Sequence, residues 1–503
     1  MEEQKKPMPM YFSSLEVENV KSFGEKQILD LKNIDGSISP WTLILGDNGV
    51  GKTTLLHCLA WMIPVGDSKK TDEFRDNTNE EYNVEYDDKN KIALKPYMDE
   101  LDELNFEKLI RIGDNVKTII TASLENVILK KSSSSDKSIV SVSMQFEKKK
   151  GELTEIVPKY HVGEVNSFDK KEFERQKAKS KEIVFKYDEL NSFDSPKIFA
   201  YSANRHVAYK NIDSPELKDP IYNLFSQSGE LYDAEQVLSM LDTASIRQGG
   251  KGKATDLLSK IKEILVDLLP DIKNPESIII NSPINDDGSI NKNIVEVLTE
   301  DGKVPLFNLS LGYVTMLTWI VDLAIHMLWS FPESIEPLKE PAIVLVDEID
   351  LHLHPVWQRK IMQKLTHHFS HTQFICTAHS PIMAQASENQ NLAVVKRIED
   401  KEVVIENAPH IVKGWRIGQL LTSELFDFES ERGPELDEIV QERRNLLKKE
   451  SLEPKEKIEL ERLNAKIDEL PFGEDKQDEA MKLLQNFSKK LDILKSKGDD
   501  KNS

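Results

Sequence analysis

The chain has 503 residues, 39% of them hydrophobic and 30% charged, enough apolar content for packed cores and, by length, about two to four domains. Its 66 Lys and Arg stand against 87 Asp and Glu, so the formal charge is −21; the surface as a whole repels polyanions, and any nucleic-acid contact has to be local. Cys58 and Cys376 lie in apolar segments far apart in sequence, which argues against a cysteine-built zinc centre. With no leader-like apolar stretch near the N-terminus and no run near the ~18 apolar residues of a membrane span, the expectation is a soluble, cytoplasmic protein with buried thiols.

In chain order, Tyr11–Leu31 alternates apolar and polar residues on either side of Lys21-Ser22-Phe23-Gly24, which predicts a β-hairpin. In Trp41–Trp61, WTLILGDNGVGKTTLLHCLAW, an apolar strand breaks into glycines and resumes as a helix over Thr54–Met62. Gly46, Gly51, Lys52 and Thr53 fit the phosphate-loop pattern GxxxxGK[ST] without mismatch. The glycines let the loop of Gly46, Asp47, Asn48, Gly49, Val50, Gly51, Lys52, Thr53 and Thr54 turn its N–H groups inward around the phosphates of ATP. Lys52 then reaches β- and γ-phosphate oxygens, and the Thr53 hydroxyl ligates Mg²⁺ at the helix N-terminus.

Gly66–Phe106 is rich in Asp, Glu and Asn and reads as a mobile surface insertion. Alternation returns in Leu109–Leu129 and Ser138–Phe146, the pattern of an antiparallel sheet with one wet face. Lysines gather over Lys148–Lys186, where a solvated insertion with interspersed acids is preferred to a phosphate-contacting patch. Lys197–Asn204 reads as a buried strand ending at Arg205. Val237, Leu238, Leu241, Leu257, Leu258, Ile261, Ile264 and Leu265 fall at helical spacing and are closed by Pro270. Strands follow at Ser277–Ile280 and Asn293–Leu306, the latter with an Asp301-Gly302 turn.

Ala342–Pro355, AIVLVDEIDLHLHP, opens with five apolar residues, as a central strand of a covered parallel sheet does. At its end Asp347 can hold Mg²⁺ through water, and Glu348 can orient or deprotonate an attacking water. Gln373–Met383, QFICTAHSPIM, is a second such strand; it delivers His379 to the carboxyl edge, where ligands of open α/β sheets gather. One helix, Pro355–Phe369, and a right-handed crossover would set His379 beside the γ-phosphate. His352, His354, His367, His368 and His371 have no carboxylate or cysteine set at metal-ligand spacing. Apolar stripes predict three further helices, through Leu436–Leu447, Leu460–Leu470 and Ala480–Leu494.

Hairpin, phosphate loop, LSLGY (Leu309–Tyr313), DEIDLHLHP and TAHSP follow in an order that resembles the ABC-type ATPase heads of the SMC, RecF and OLD-like proteins, over about Tyr11–Val404. The resemblance implies an α/β head over 1–405, built of a mixed β-sheet with the P-loop, an antiparallel β lobe and a helical subdomain at about 206–272. Insertions would fall at about 66–106 and 148–186, and a C-terminal helical region over 406–503 would serve partner or self-association. It implies ATP and Mg²⁺ as ligands, Lys52, Glu348 and His379 as catalytic residues, and Thr53 and Asp347 at the metal. In that family a loop resembling LSGGQ caps the γ-phosphate of the opposite subunit. By position Ser310 and Gly312 would do so here, with Leu311 where transporters have glycine. Asp350 and Leu351 match the loop that crosses the dimer, and no clear Q-loop glutamine stands near Tyr201–Arg205, its matching place.

Within that group, LSLGYVTMLTWIVDLA and the segment Lys413–Ile439 are similar to the PtuA family, the ATPases of Septu and retron-associated antiphage systems, in which a separate HNH nuclease, PtuB, makes the cut. The implied protein is an ATP-hydrolysing head that pairs head to head or forms a larger oligomer. It would control an HNH nuclease of the PtuB kind, in retrons beside a reverse transcriptase with its RNA and DNA. The sequence supplies no nuclease carboxylates of its own. The alternative is a RecF-like DNA-repair ATPase acting on DNA without a dedicated nuclease.

Overall fold

A computed structural model describes residues 9–62, 64–66, 94–96, 117–126, 138–149, 152–164, 196–205, 220–225, 231–269, 272–285, 287–300, 302–387, 390–398, 402–407, 414–423, 426, 434–447 and 453–468. The chain divides into two compact units, Met1–Phe426 and Asp427–Ser503.

In the first unit the predicted hairpin is β1 (Met10–Glu18) and β2 (Gln27–Asp30), paired antiparallel. β3 (Trp41–Gly46) runs into the phosphate loop, and α1 (Lys52–Trp61) begins two residues before the predicted start. The helical ladder closes early because Leu55 N–H already reaches Gly51 O. β4 (Pro64–Gly66) pairs with β5 (Leu94–Pro96), and the remainder of the expected insertion at 66–106 lies outside the described residues. β6 (Lys117–Asn126) and β7 (Ser138–Lys149) carry the expected alternation. β8 (Glu152–Glu164) runs through the lysine-bearing segment, where no strand is expected from the sequence. Ile156, Tyr160 and Val162 stand in register opposite Phe146, Val142 and Val140 of β7. Pro158 is tolerated because β8 is the outer strand of the sheet β2-β1-β6-β7-β8 and need not donate on its free side. Residues 165–186 of that segment lie outside the described ones.

β9 (Lys197–Tyr201) and α2 (Tyr222–Phe225) precede the helix pair α3 (Ala234–Arg247) and α4 (Lys253–Leu268). α3 starts where it does because the Asp233 carboxylate caps the N–H groups of Glu235 and Gln236. A small sheet of β10 (Ile278–Ile280), β11 (Val295–Thr299) and β12 (Gly302–Pro305) leads to α5 (Leu311–Ser330). Contrary to the expectation from sequence, α5 is long and apolar enough to cross a membrane by length and composition. It is apolar on all sides because 83% of its apolar window is buried within the fold. β13 (Ala342–Val346), α6 (Pro355–Gln358), α7 (Ile361–His368), β14 (Thr372–Thr377), α8 (Pro381–Ala386), β15 (Asn391–Arg397), β16 (Val403–Asn407) and α9 (Ile417–Leu421) complete the unit. The single helix expected over Pro355–Phe369 is broken between α6 and α7, where Lys360 N–H reaches back only three residues, to Trp357 O.

The central sheet has the order β16-β15-β3-β14-β13-β9 and is parallel apart from β16. Its strands are apolar throughout because each face meets its own core. Ala342, Val344 and Val346 of β13 enter a core shared with α3, α4 and α5, while Ile343 and Leu345 enter one shared with β1, β2 and α1. Gln373 fastens the antiparallel lobe to the sheet: its side-chain amide accepts from Phe12 N–H at 3.0 Å and donates to Phe12 O at 2.8 Å.

In the second unit, α10 (Pro434–Leu447) and α11 (Pro454–Asp468) are joined where Arg443 Nε donates to Asn464 Oδ1 at 2.6 Å. The third helix expected there, over Ala480–Leu494, lies outside the described residues.

Candidate nucleotide site

β3, β14 and β13 are parallel neighbours, so their carboxyl ends bring the phosphate loop, His379, and Asp347 with Glu348 to one edge of the sheet. The loop is tightly seated. At Gly46 (φ 145°) a Cβ would stand 2.1 Å from Val395 O, and at Gly51 (φ 107°) one would stand 2.5 Å from Ser22 Oγ and 2.9 Å from the Phe23 ring. The contacts at Gly51 come from the turn of the β1–β2 hairpin, whose Ser22 hydroxyl also donates to Val50 O at 2.8 Å, and that at Gly46 comes from β15. Lys52 folds over the loop and donates to Gly46 O and Asp47 O, both at 2.7 Å. Burial pushes the Lys52 ammonium pKa down, while Asp347, Glu348, Asp47 and Asp350 pull it the other way.

The Asp347 carboxylate is buried and fully engaged. Oδ2 accepts from the Thr53 hydroxyl at 2.8 Å and Oδ1 from the Thr377 hydroxyl at 2.6 Å. Thr377 Oγ1 in turn accepts from Glu348 N–H at 2.7 Å. Glu348 is partly exposed, and its Oε1 lies 3.9 Å from His379 Nε2. His379 N–H donates to Asp350 Oδ2 at 3.0 Å. The buried guanidinium of Arg205 donates to Asp347 O at 2.7 Å and Glu348 O at 3.0 Å. Burial lowers its pKa to about 10.

Lys52, Thr53, Asp347, Glu348 and His379, inferred from separate motifs, thus converge on one edge. Ser310 and Gly312 stand elsewhere. They open α5 beside the chain turn at His352, whose carbonyl oxygen would lie 2.2 Å from a Cβ on Gly312. Tyr313 packs against Trp357 with ring centroids 4.3 Å apart. The open cavity of about 800 Å³ at Ser310 and Gly312 is lined by residues 310–313, 352–354, 356 and 357, and by none of the phosphate loop. Arg205 carries no motif; it closes the segment that matches the Q-loop position. Thr377 opens the TAHSP motif but has no role assigned there.

The donor set suits a hard divalent cation. Thr53 and Asp347 present hydroxyl and carboxylate oxygens 2.8 Å apart, and the carboxylates of Asp347, Glu348, Asp47 and Asp350 all act on the Lys52 ammonium.

The fold and this site define a P-loop ATPase, an enzyme that hydrolyses ATP. The chain belongs to the AAA ATPase domain family, whose profile matches residues 10–384. It is similar to the "Retron Ec83 probable ATPase" of Escherichia coli, at 26% identity over 86% of this chain and 80% of that protein. It is also similar to the "Retron Vc95 probable ATPase" of Vibrio cholerae (36% identity, 20% of this chain and 20% of that protein) and to the "Septu protein PtuA" of Bacillus mycoides (32% identity, 32% and 22%). Among solved structures it is similar to the SMC head domain from Thermotoga maritima, at 13% identity and TM-score 0.36, over 79% of this chain and 98% of that one.

Proposed function

We propose that the protein is the ATPase of an antiphage defence complex, hydrolysing ATP in sites completed between two heads and thereby controlling a separate HNH nuclease of the PtuB kind. In a retron the complex would include the reverse transcriptase with its RNA and DNA. Residues Gly46–Thr54 cradle the phosphates, and the Lys52 ammonium leaves the loop carbonyls for the β- and γ-phosphate oxygens. Thr53 and Asp347 would hold Mg²⁺, which would supply charge neutralisation when bound. Glu348 accepts the proton of a water whose oxygen attacks the γ-phosphorus as its bond to the bridging oxygen breaks, and ADP departs with that electron pair. His379 donates to the γ-phosphate, and the helices of 406–503 dock the partner.

The observation that carries this reading is the separation of the half-sites. The cavity at Ser310 and Gly312 is lined by no residue of the phosphate loop, so the N–H groups that open α5 have no phosphate of their own chain to cap. A second head brings one. Glu348→Gln binds ATP, turns it over at no more than a residual rate, and accumulates closed dimers in solution scattering with ATP and Mg²⁺. A variant that stays monomeric under those conditions, or turnover independent of protein concentration in the wild type, refutes the paired site.

A further inference from the structure

Glu348 has φ 47°, the left-handed region that residues bearing a Cβ rarely occupy. Such a conformation persists where its surroundings over-determine it. Here they do. Glu348 N–H is held by Thr377 Oγ1 at 2.7 Å, and its carbonyl accepts from Leu351 N–H at 3.0 Å and from Arg205 Nη2 at 3.0 Å. The carbonyl just before it, on Asp347, accepts from Arg205 Nη1 at 2.7 Å.

The choice of partners is informative. Arg205 is 5% exposed, and the carboxylate that acts on it most strongly is that of Asp347. Both oxygens of that carboxylate are instead taken by Thr53 and Thr377. The guanidinium spends its two terminal nitrogens on consecutive main-chain carbonyls, and its Nε has no partner among the described residues. A planar fork bridging two successive peptide units fixes the rotation between them, which a point charge cannot do. The rotation it fixes is that of Glu348. The segment carrying Arg205 is itself anchored: Tyr201 OH donates to Asp322 Oδ2 on α5 at 3.0 Å, and Ser202 N–H to Asn223 Oδ1 at 3.1 Å.

We infer that Arg205 is a positioning residue of the ATPase: its fork holds the Asp347–Glu348 backbone in the left-handed turn that sets the Glu348 carboxylate beside His379. The inference rests on the proposed role of Glu348 as base. Arg205 acts through the carboxylate it aims.

The test uses the full chain and four variants: Arg205→Lys, Glu348→Gln, the double variant and Tyr201→Phe. Arg205→Lys keeps the charge and loses the fork. Its kcat falls ~100-fold, the scale of a misplaced catalytic group, with nucleotide affinity within about 2-fold of wild type. Added to Glu348→Gln, the same change moves the residual single-turnover rate by less than about 2-fold, because the group it positions is already gone. A purely structural arginine behaves otherwise: it lowers affinity in parallel with kcat, or lowers the rate by the same factor in both backgrounds, and either result overturns the inference. So does a kcat for Arg205→Lys within about 3-fold of wild type. Tyr201→Phe leaves the guanidinium in place and frees its segment, so it reads the same device if Arg205→Lys does not fold. Its kcat falls about 3-fold or more at unchanged affinity, and wild-type kcat there also overturns the inference. Full turnover by Glu348→Gln refutes the base assignment instead, and is distinguishable because it concerns that variant alone.

Discussion

Replacing Thr377 with valine isolates one hydroxyl at the centre of the site. The two side chains have nearly the same shape, and Thr377 is fully buried at the end of β14, so the change removes hydrogen bonds and little packing. Two bonds go. The hydroxyl donates to Asp347 Oδ1 at 2.6 Å, a bond to a charged acceptor of about 1.5–3 kcal/mol. It also accepts from Glu348 N–H at 2.7 Å, and a donor left unsatisfied there costs about 1–3 kcal/mol. Together they predict a loss of about 3–5 kcal/mol, in the range reserved for breaking a buried polar network. Denaturant unfolding with an unchanged m-value measures it. Thr377→Ser keeps both bonds and gives up one buried methyl, a loss of about 1 kcal/mol, and retains most ATP turnover. A valine variant within about 1 kcal/mol of wild type, or no worse than the serine variant, would show that the hydroxyl does not hold Asp347 and Glu348 in place.

Two other outcomes follow from the structure. Gly312→Ala, which in an ordinary helix interior gains about 1 kcal/mol, is destabilising here and abolishes turnover, because its Cβ would stand 2.2 Å from the backbone oxygen of His352; a raised melting temperature in a thermal-shift assay would contradict this. His57, on α1 against Phe225 and 3.3 Å from Leu224 O, has its pKa pushed down by burial to about 4. On acidification the unfolded chain therefore takes up that proton near pH 6.5 while the folded chain does not, and stability present above pH 6.5 is lost as the pH falls towards 4. The stability of His57→Phe relative to wild type accordingly rises across that window, by a span on the order of 3 kcal/mol, and a pH-independent difference in unfolding free energy sinks the argument.

The elements legible in the sequence are those whose cause is local. Alternation on either side of Lys21–Gly24 marks the hairpin, and glycines that cannot carry a Cβ mark the phosphate loop. Five successive apolar residues mark β13 because each face of that strand has its own core. β8 was overlooked although Ile156, Pro158, Tyr160 and Val162 alternate, because surrounding lysines and acids mask a pattern that registers only against β7. The break between α6 and α7 has no proline or glycine to announce it.

What the sequence by itself determined is the inventory: a P-loop, an Asp-Glu pair and a histidine, each on a strand apolar enough to require burial. What only the tertiary structure decided is their arrangement. Strand order sets β14 between β3 and β13, and so brings His379 to 3.9 Å from Glu348 and Thr53 to 2.8 Å from Asp347. It also decided the role of Arg205, 142 residues from Asp347. Its partners there are main-chain carbonyls, which every residue carries and which leave no trace in the residue types on either side.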